Sequence, residues 1–251
     1  MLVVDVIRFE LTRSMTAGRI AIWALLVSFP VILFTILSFV NPTTQVEWWG
    51  LTLYFLGPEV VCLLGLLLWA TPAISTEIEG QTWIYLAMRR SGRSTVLIGK
   101  YLTAIIWTLS AALVSITICM LIVGTIGGLK LWLVMCVLAT LSCVAHAAIY
   151  LLIGVLFPRR TMTTAVAYTL AIEYGLSLVP ALANKLTVNY RLRGLLADWM
   201  DWEEARSNAE TVFGREPAST HLLVLALITL SMLAIAVFRL SRAEYPTQQE
   251  G

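Results

Sequence analysis

Two glutamates lie inside long apolar runs of this sequence, Glu59 within residues 51–73 and Glu173 within residues 161–181. A carboxylate at membrane depth costs several kcal/mol, so such residues are usually retained for a function. At about 1.5 Å of rise per residue, each glutamate lies about 12 Å below the same outer end of its run. Two carboxyls at one depth predict a shared, water-filled vestibule in which they bind a cation or line a path.

Aromatic residues accompany both glutamates. Tyr174 adjoins Glu173, and Tyr54 and Phe55 lie about one helical turn above Glu59. The neighbouring Gly57-Pro58 pair predicts a kink in that helix. We therefore predict a candidate translocation path lined by Tyr54, Phe55, Glu59, Glu173 and Tyr174. The alternative is that the two carboxyls are protonated or hydrogen-bonded and hold helices together, and the sequence favours neither interpretation.

A second group of chemically active residues comprises Cys136, Cys143 and His146, which lie in one apolar run. Two thiols and one imidazole on a single helix cannot complete a tetrahedral site, and no carboxylate lies beside them. We predict no metal site, and we expect His146 to hydrogen-bond a neighbouring helix. Because all four cysteines fall within apolar runs, no structural disulfide is expected. No protease motif is present, so no catalytic residue is predicted.

The elements that carry these residues follow from composition. The chain is 59% hydrophobic and 13% charged, with a mean hydropathy of +0.85, whereas soluble domains carry about 25% charged residues. Six apolar runs span residues 20–40, 51–73, 101–123, 131–157, 161–181 and 221–238. Runs of about 20 residues cross a bilayer as helices, because lipid cannot satisfy an open backbone. We predict an all-α integral membrane protein with six transmembrane helices in one domain, residues 1–251.

Basic residues set the orientation. Arginines are concentrated in the segments on the same side as the N-terminus, whereas Lys130 is the only basic residue in the short loops on the other side. The positive-inside rule then predicts a protein of the cell membrane (inner or plasma membrane) whose two termini both lie in the cytoplasm. The net charge of +2 gives no indication of nucleic-acid binding.

Three segments outside the runs have patterns of their own. Residues 1–18 predict an amphipathic helix on the inner surface, with apolar residues recurring at helical spacing. The segment 182–220 predicts an outer helix before the sixth span, since Leu195, Trp199 and Trp202 share one face. This outer segment leaves open whether the protein binds a further partner on the outer side. We expect residues 203–219 to form a solvated loop.

The third segment, residues 74–99, connects the second and third spans on the inner side. Helix connections usually take about two to eight residues, so this one is unusually long. It presents Trp83 and Tyr85 beside charges of both signs, a mixture typical of protein interfaces. A solvated loop is the plainer alternative.

The residues of this segment carry a resemblance. The segment resembles the corresponding run of ABC type-2 transporter permeases. The residues that carry the resemblance are, in order, Ile74-Ser75, Glu77, Glu79-Gly80, Thr82, Leu86, Arg89, Arg93 and Gly99-Lys100. The chain resembles that family over its whole length, in the surface helix, the six spans and the outer helical element. The resemblance implies that residues 74–99 form a coupling helix that fits a groove on a cytosolic ATPase. It implies these ATPase-coupling residues: Glu77, Glu79, Gly80, Thr82, Trp83, Arg89, Arg93 and Lys100.

The same resemblance implies the function of a permease subunit in an ATP-driven exporter. Two such permeases, identical or related, would pair with two ATPase subunits, which hold the ATP and magnesium. The stretch from Gly92 to Tyr101 is not a phosphate-binding loop, because six residues separate its glycines instead of four. The alternative function is an ion- or proton-coupled secondary carrier or channel that uses Glu59 and Glu173. The sequence does not indicate the substrate.

Overall fold

A computed structural model describes residues 3–40, 45–79, 92–124, 128–176, 182–206, 210 and 214–242. Of these residues 91% are helical, and no strand occurs among them. The prediction of an all-α protein is therefore confirmed for this part of the chain.

The helices follow one another in this order: α1 is Val3–Ser14, α2 is Ala17–Val40, α3 is Val46–Glu77, α4 is Gly92–Ile122, α5 is Gly128–Leu156, α6 is Thr161–Tyr168, α7 is Val188–Met200 and α8 is Ala218–Arg242. Short 3-10 helices lie at Leu182–Leu186 and Glu203–Ala205. Helix α7 thus stands where the outer helical element was expected.

Five of these helices, α2, α3, α4, α5 and α8, are long and apolar enough to cross a membrane. They agree with five of the six predicted runs. The fifth run is helical from the start of α6 at Thr161 through Gly175, but residues 177–181 lie outside the described residues. The count of six spans stays a prediction.

Two helical segments are widened into π-helix, and each contains one of the two membrane glutamates. Phe55–Val61 interrupts α3 around Glu59, and Thr169–Gly175 continues α6 around Glu173. In the first segment Pro58 has no N–H to donate and its ring crowds the preceding turn, which favours local widening. Such widened turns often mark functional sites. The kink expected at Gly57-Pro58 takes the form of this π-helical turn.

Helix α5 is the centre of the bundle and is buried along most of its length, whereas α2 and α8 are mostly exposed. It packs against α8, α4, α3 and α7. Small residues allow the close approach: a Cβ at Gly154 would lie 2.6 Å from the carbonyl oxygen of Thr71. Packing through small residues is the usual way in which helices associate within membranes.

The surface helix α1 packs along the first part of α4. Val6 is buried there against Gly99, where a Cβ would lie 2.4 Å from Val6 Cγ1. The indole N–H of Trp107 donates to Ser14 Oγ at 2.8 Å. The apolar face of residues 2–14 was expected to contact lipid. The structure instead places Val6 of that face against protein, because Gly99 leaves room for it.

The outer helix α7 is inserted among other helices rather than resting on the surface. It packs against α5 and α8, and nearly all of its first ten residues are buried. Thr187 caps its start by accepting from the Tyr190 N–H, and Asp201 ends it in the left-handed conformation, with φ 60°. This helix was expected to lie on the outer leaflet or to dip into it, and the structure shows it buried against other helices.

Candidate functional site

Glu59 lies in the π-helical turn of α3 and is fully buried. The guanidinium Nη2 of Arg193, on α7, lies 3.2 Å from both of its carboxylate oxygens. Arg193 keeps about a third of its side chain exposed, so its charge is partly solvated while the carboxylate is not. The pair therefore joins α3 to α7 by a charge-assisted hydrogen bond.

Glu173 is held by the other end of the same outer helix. Its carboxylate accepts from the backbone N–H groups of Val188 at 3.4 Å and Asn189 at 3.1 Å, in the first turn of α7. The Tyr168 hydroxyl donates a third hydrogen bond at 2.9 Å. The first N–H groups of a helix have no partner within it, and the helix dipole favours a negative charge there. Glu173 supplies that charge from α6.

His146 links α5 to this region. Its Nε2 lies 3.8 Å from Glu173 Oε2, and its Nδ1 lies 3.0 Å from the carbonyl oxygen of Ser142. The Ser142 hydroxyl donates to the carbonyl oxygen of Pro58 at 2.6 Å, which ties α5 to the π-helical turn. His146 was expected to bond a neighbouring helix. Its Nδ1 lies nearest its own helix, while its Nε2 faces Glu173 on another.

The two glutamates thus share α7 as a common partner instead of an open vestibule. Both are 0% exposed, so neither faces water in this structure, which disagrees with the vestibule but not with the alternative of hydrogen-bonded carboxyls that hold helices together. The three aromatic residues expected to line the path differ in exposure: Tyr54 is buried, Tyr174 is half-buried and Phe55 is 47% exposed. The arrangement connects the middle of α3 and the end of α6 to one short outer helix.

Sequence reasoning missed the partners of the two glutamates. Arg193 and Asn189 were not singled out, because the outer segment was assigned to the membrane surface. Their signal was present: Arg191 and Arg193 flank Leu192 in a short, otherwise mostly apolar stretch. A cation in such a stretch is a natural partner for a carboxylate in a nearby span.

A second charged group, which we call the inner cluster, joins α1, α3 and α4. Lys100 Nζ lies 2.9 Å from Glu77 Oε1 and 3.2 Å from Glu10 Oε1. Arg13 Nη1 lies 3.2 Å from the same Glu77 oxygen. Glu77 and Lys100 have only 5% and 7% of their side chains exposed. These two expected ATPase-coupling residues therefore contact each other inside the protein and do not present a docking surface.

The remaining expected coupling residues are placed unevenly. Arg93 Nη1 donates to the carbonyl oxygens of Ser241 at 2.9 Å and Leu240 at 3.4 Å, so it caps the carboxyl end of α8. Glu79 lies at the end of the helical turn Ser75–Glu79. The other coupling residues lie outside the described residues: Gly80, Thr82, Trp83 and Arg89.

The outer segment contains a buried ion-pair network around Arg206. This guanidinium lies 2.9 Å from Asp198 Oδ1, 3.1 Å from Glu210 Oε2 and 3.3 Å from Glu203 Oε2. A solvated loop was expected for residues 203–219, but the Arg206 side chain is only 9% exposed. Its carboxylate partners outweigh the effect of burial and raise the pKa of Arg206.

Glu210 and Glu216 attach the outer segment to α7 and α8. Glu210 Oε1 lies 3.3 Å from His221 Nε2, and Glu216 accepts from Lys185 Nζ at 2.7 Å and from Arg191. Burial opposes ionisation of both acids. The nearby His221 ring and the hydrogen bond from Arg206 outweigh it and lower the pKa of Glu210, and hydrogen bonds from Lys185 and Arg191 lower the pKa of Glu216.

Within the described ranges, no group of three or more His, Cys, Asp and Glu side chains is arranged to hold a metal ion. No protein-family model matches the chain, and no curated protein matches it significantly. The permease interpretation therefore depends on the motif at residues 74–100 and on the arrangement of the helices.

Proposed function

We propose that this chain is the membrane-spanning permease subunit of an ATP-driven ABC type-2 exporter. It works as a dimer of permeases that encloses the translocation path, and it couples to separate cytosolic ATPase subunits that hold ATP and magnesium. The observation that carries the proposal is the buried 2.9 Å contact between Glu77 and Lys100. Glu77 lies near the start of the segment 74–99 that resembles a coupling helix, and Lys100 directly follows its end.

That contact gives the coupling segment a mechanical connection. Glu77 ends α3, and Lys100 begins the apolar part of α4. Since the ends of residues 78–99 are joined, a force on this segment displaces α3 and α4 together. Glu10 and Arg13 add the surface helix α1 to the same unit. Closure of two ATPases would in this way be passed to the spans as a rigid-body motion.

The outer glutamates provide the other end of that motion. Helix α3 carries Glu77 at its inner end and Glu59 at the π-helical turn, where Arg193 of α7 holds it. A shift of α3 must therefore move α7 or break the Glu59–Arg193 pair. Either event changes the closure of the outer side, which is what exchange between inward and outward states requires.

The secondary-carrier alternative receives less support from these contacts. Glu59 is paired with Arg193, and Glu173 accepts two backbone N–H bonds and one from Tyr168. A carboxylate already satisfied by fixed donors is poorly suited to bind and release a transported cation. The contacts favour a role in joining helices for both residues.

The test is co-purification in a mild detergent. The wild-type chain should bring an ABC ATPase subunit with it, and Glu79→Arg should lose or weaken that association because the substitution reverses a charge in the coupling segment. The matched control is Glu204→Arg, since Glu204 is an exposed acid of the outer segment. Equal ATPase recovery from wild type and Glu79→Arg would assign the docking surface elsewhere. The absence of any ATPase would contradict the proposal.

A further inference from the structure

A cavity of about 210 Å³ lies beside the inner cluster, between α1, α2, α3 and α4. About 10–15 Å³ suffices for one water, so this cavity admits a group of several heavy atoms. The stacked indoles of Trp69 and Trp107, with centroids 5.8 Å apart, form part of its wall. Charged side chains form another part of its wall.

The charge of the cavity wall is positive. Five charged side chains line it: Glu10, Arg13, Arg19, Glu77 and Lys100. Three are cations and two are acids, which leaves an excess of one positive charge. Lys100 is buried between Glu10 and Glu77. The cations that remain accessible are Arg13, which is 57% exposed, and Arg19, which is also exposed.

The first turn of α2 adds to this preference for an anion. Thr16, directly before α2, and Arg19 in its first turn line the cavity, and the amino end of a 24-residue helix carries partial positive charge. Guanidinium groups are the preferred partners of phosphate oxygens, because their planar donors can bind two oxygens at once. Arg13, Arg19 and the start of α2 therefore fit a phosphate group.

The position of the cavity decides the source of that phosphate. It lies at one end of α2, α3 and α4, where an apolar run begins or ends, which is the depth of lipid headgroups. Exposed apolar residues adjoin its lining residues in the chain: Phe9, 58% exposed, precedes Glu10, and Met15, 63% exposed, precedes Thr16. Such residues beside a basic pocket are suited to acyl chains and an anionic headgroup together.

We propose that this cavity binds the phosphate headgroup of an anionic phospholipid from the leaflet in which α1 lies, through Arg13 and Arg19. The bound headgroup joins α1 and α2 to the inner ends of α3 and α4. This inference does not rest on the proposed function, since it needs neither an ATPase nor a second permease.

The test uses the purified full-length chain in detergent with short-chain dioctanoyl phosphatidylglycerol. Dioctanoyl phosphatidylcholine and inorganic phosphate, at equal phosphate concentration, are the comparison arms. Retained lipid is counted by native mass spectrometry, and the unfolding midpoint is measured as lipid is added. We expect saturable binding of phosphatidylglycerol that raises the midpoint, with smaller effects of the other two compounds.

Arg19→Gln should weaken phosphatidylglycerol binding about tenfold, as expected for the loss of one charged hydrogen bond. Within the described part of the chain Arg19 forms no ion pair. The unfolding midpoint of the Arg19→Gln protein without lipid should therefore equal that of wild type. The matched control is Arg8→Gln, which removes an exposed cation of α1 that does not line the cavity. It should bind phosphatidylglycerol as wild type does.

Three outcomes would overturn the proposal. Equal binding of phosphatidylcholine would show that the headgroup charge is not recognised. A saturable effect of inorganic phosphate alone would replace the lipid with a soluble anion. Equal losses in Arg19→Gln and Arg8→Gln would show general attraction to the basic surface instead of a site.

Discussion

Arg193 of the outer helix α7 lies 3.2 Å from both carboxylate oxygens of Glu59, a residue of the π-helical turn in α3. A few residues earlier, the amino end of α7 holds Glu173 through the backbone of Val188 and Asn189. One short helix therefore satisfies the two acids that stand within the apolar runs. Both carboxylates therefore have partners inside the bundle, where an unpaired charge costs several kcal/mol.

Removing one member of the Glu59–Arg193 pair should destabilise the protein more than removing both. Arg193→Gln leaves Glu59 buried without its charged partner. Breaking a fully buried pair costs about 3–5 kcal/mol, and the partial exposure of Arg193 lowers the expectation to about 2 kcal/mol. Glu59→Gln/Arg193→Gln should recover part of that loss. Unfolding of the four proteins in detergent provides the double-mutant cycle, and strict additivity would show that the pair is not coupled.

Glu173→Ala should loosen the start of α7 without unfolding the bundle. The substitution leaves the N–H groups of Val188 and Asn189 without their acceptor, at a cost of about 1–3 kcal/mol. Hydrogen exchange of these two amides should accelerate, while exchange in the middle of α5 stays unchanged. Glu173→Gln, which retains one carbonyl acceptor, should give an intermediate rate. Unaltered exchange at both amides in the alanine variant would show that the hydrogen bonds contribute little.

Gly194→Ala tests how tightly α7 packs against α8. A Cβ at this position would lie 2.4 Å from the His221 ring, and His221 is itself fully buried. We expect a loss of about 1–3 kcal/mol from overpacking, read as a lower unfolding midpoint. Gly18→Ala in α2 is the control, since nothing lies within 4 Å of a Cβ there. That control should be neutral or stabilising, because alanine suits a helix better than glycine.

The outer segment should lose stability in acid. The pKa values of Glu210 and Glu216 are lowered in the folded protein, because His221 and Arg206 beside Glu210, and Lys185 and Arg191 beside Glu216, outweigh burial. Their stabilisation is therefore complete above the ordinary carboxyl pKa of about 4.3 and is lost as pH falls through the lowered folded values. Unfolding midpoints measured between neutral pH and about pH 3 should decline in this window. Glu216→Gln should reduce the decline, and an unchanged pH profile would contradict the assignment.

The helical class and the positions of the glutamates could be predicted from the sequence, because hydrophobic runs of span length leave few other structures. The burial of α7 could not. Its residue Arg191 favours a surface position when considered alone, and inside the protein it is satisfied by Glu216 and by the carbonyl oxygen of Lys185. Likewise, Glu77 and Lys100 match a motif by position, yet the motif does not reveal that they pair with each other 23 residues apart.

The difference has a physical origin. Periodicity reports the environment of a helix averaged around its axis, whereas an ion pair depends on the separation of two particular atoms in three dimensions. The two glutamates were expected either to share a water-filled vestibule, because they lie at one depth in their runs, or to be hydrogen-bonded and hold helices together. Their partners come from α7, which the chain reaches only later and inserts beside them.

The measurement that tests the central claim most directly is the mass of the intact particle purified in mild detergent from the native membrane. We expect a particle with two permease chains and two ATPase subunits. The permeases are either two copies of this chain or one copy and a homologue. ATP hydrolysis should be lost when the ATPases are removed. A particle that contains this chain alone, with transport driven by an ion gradient, would contradict the account and make Glu59 and Glu173 the primary site.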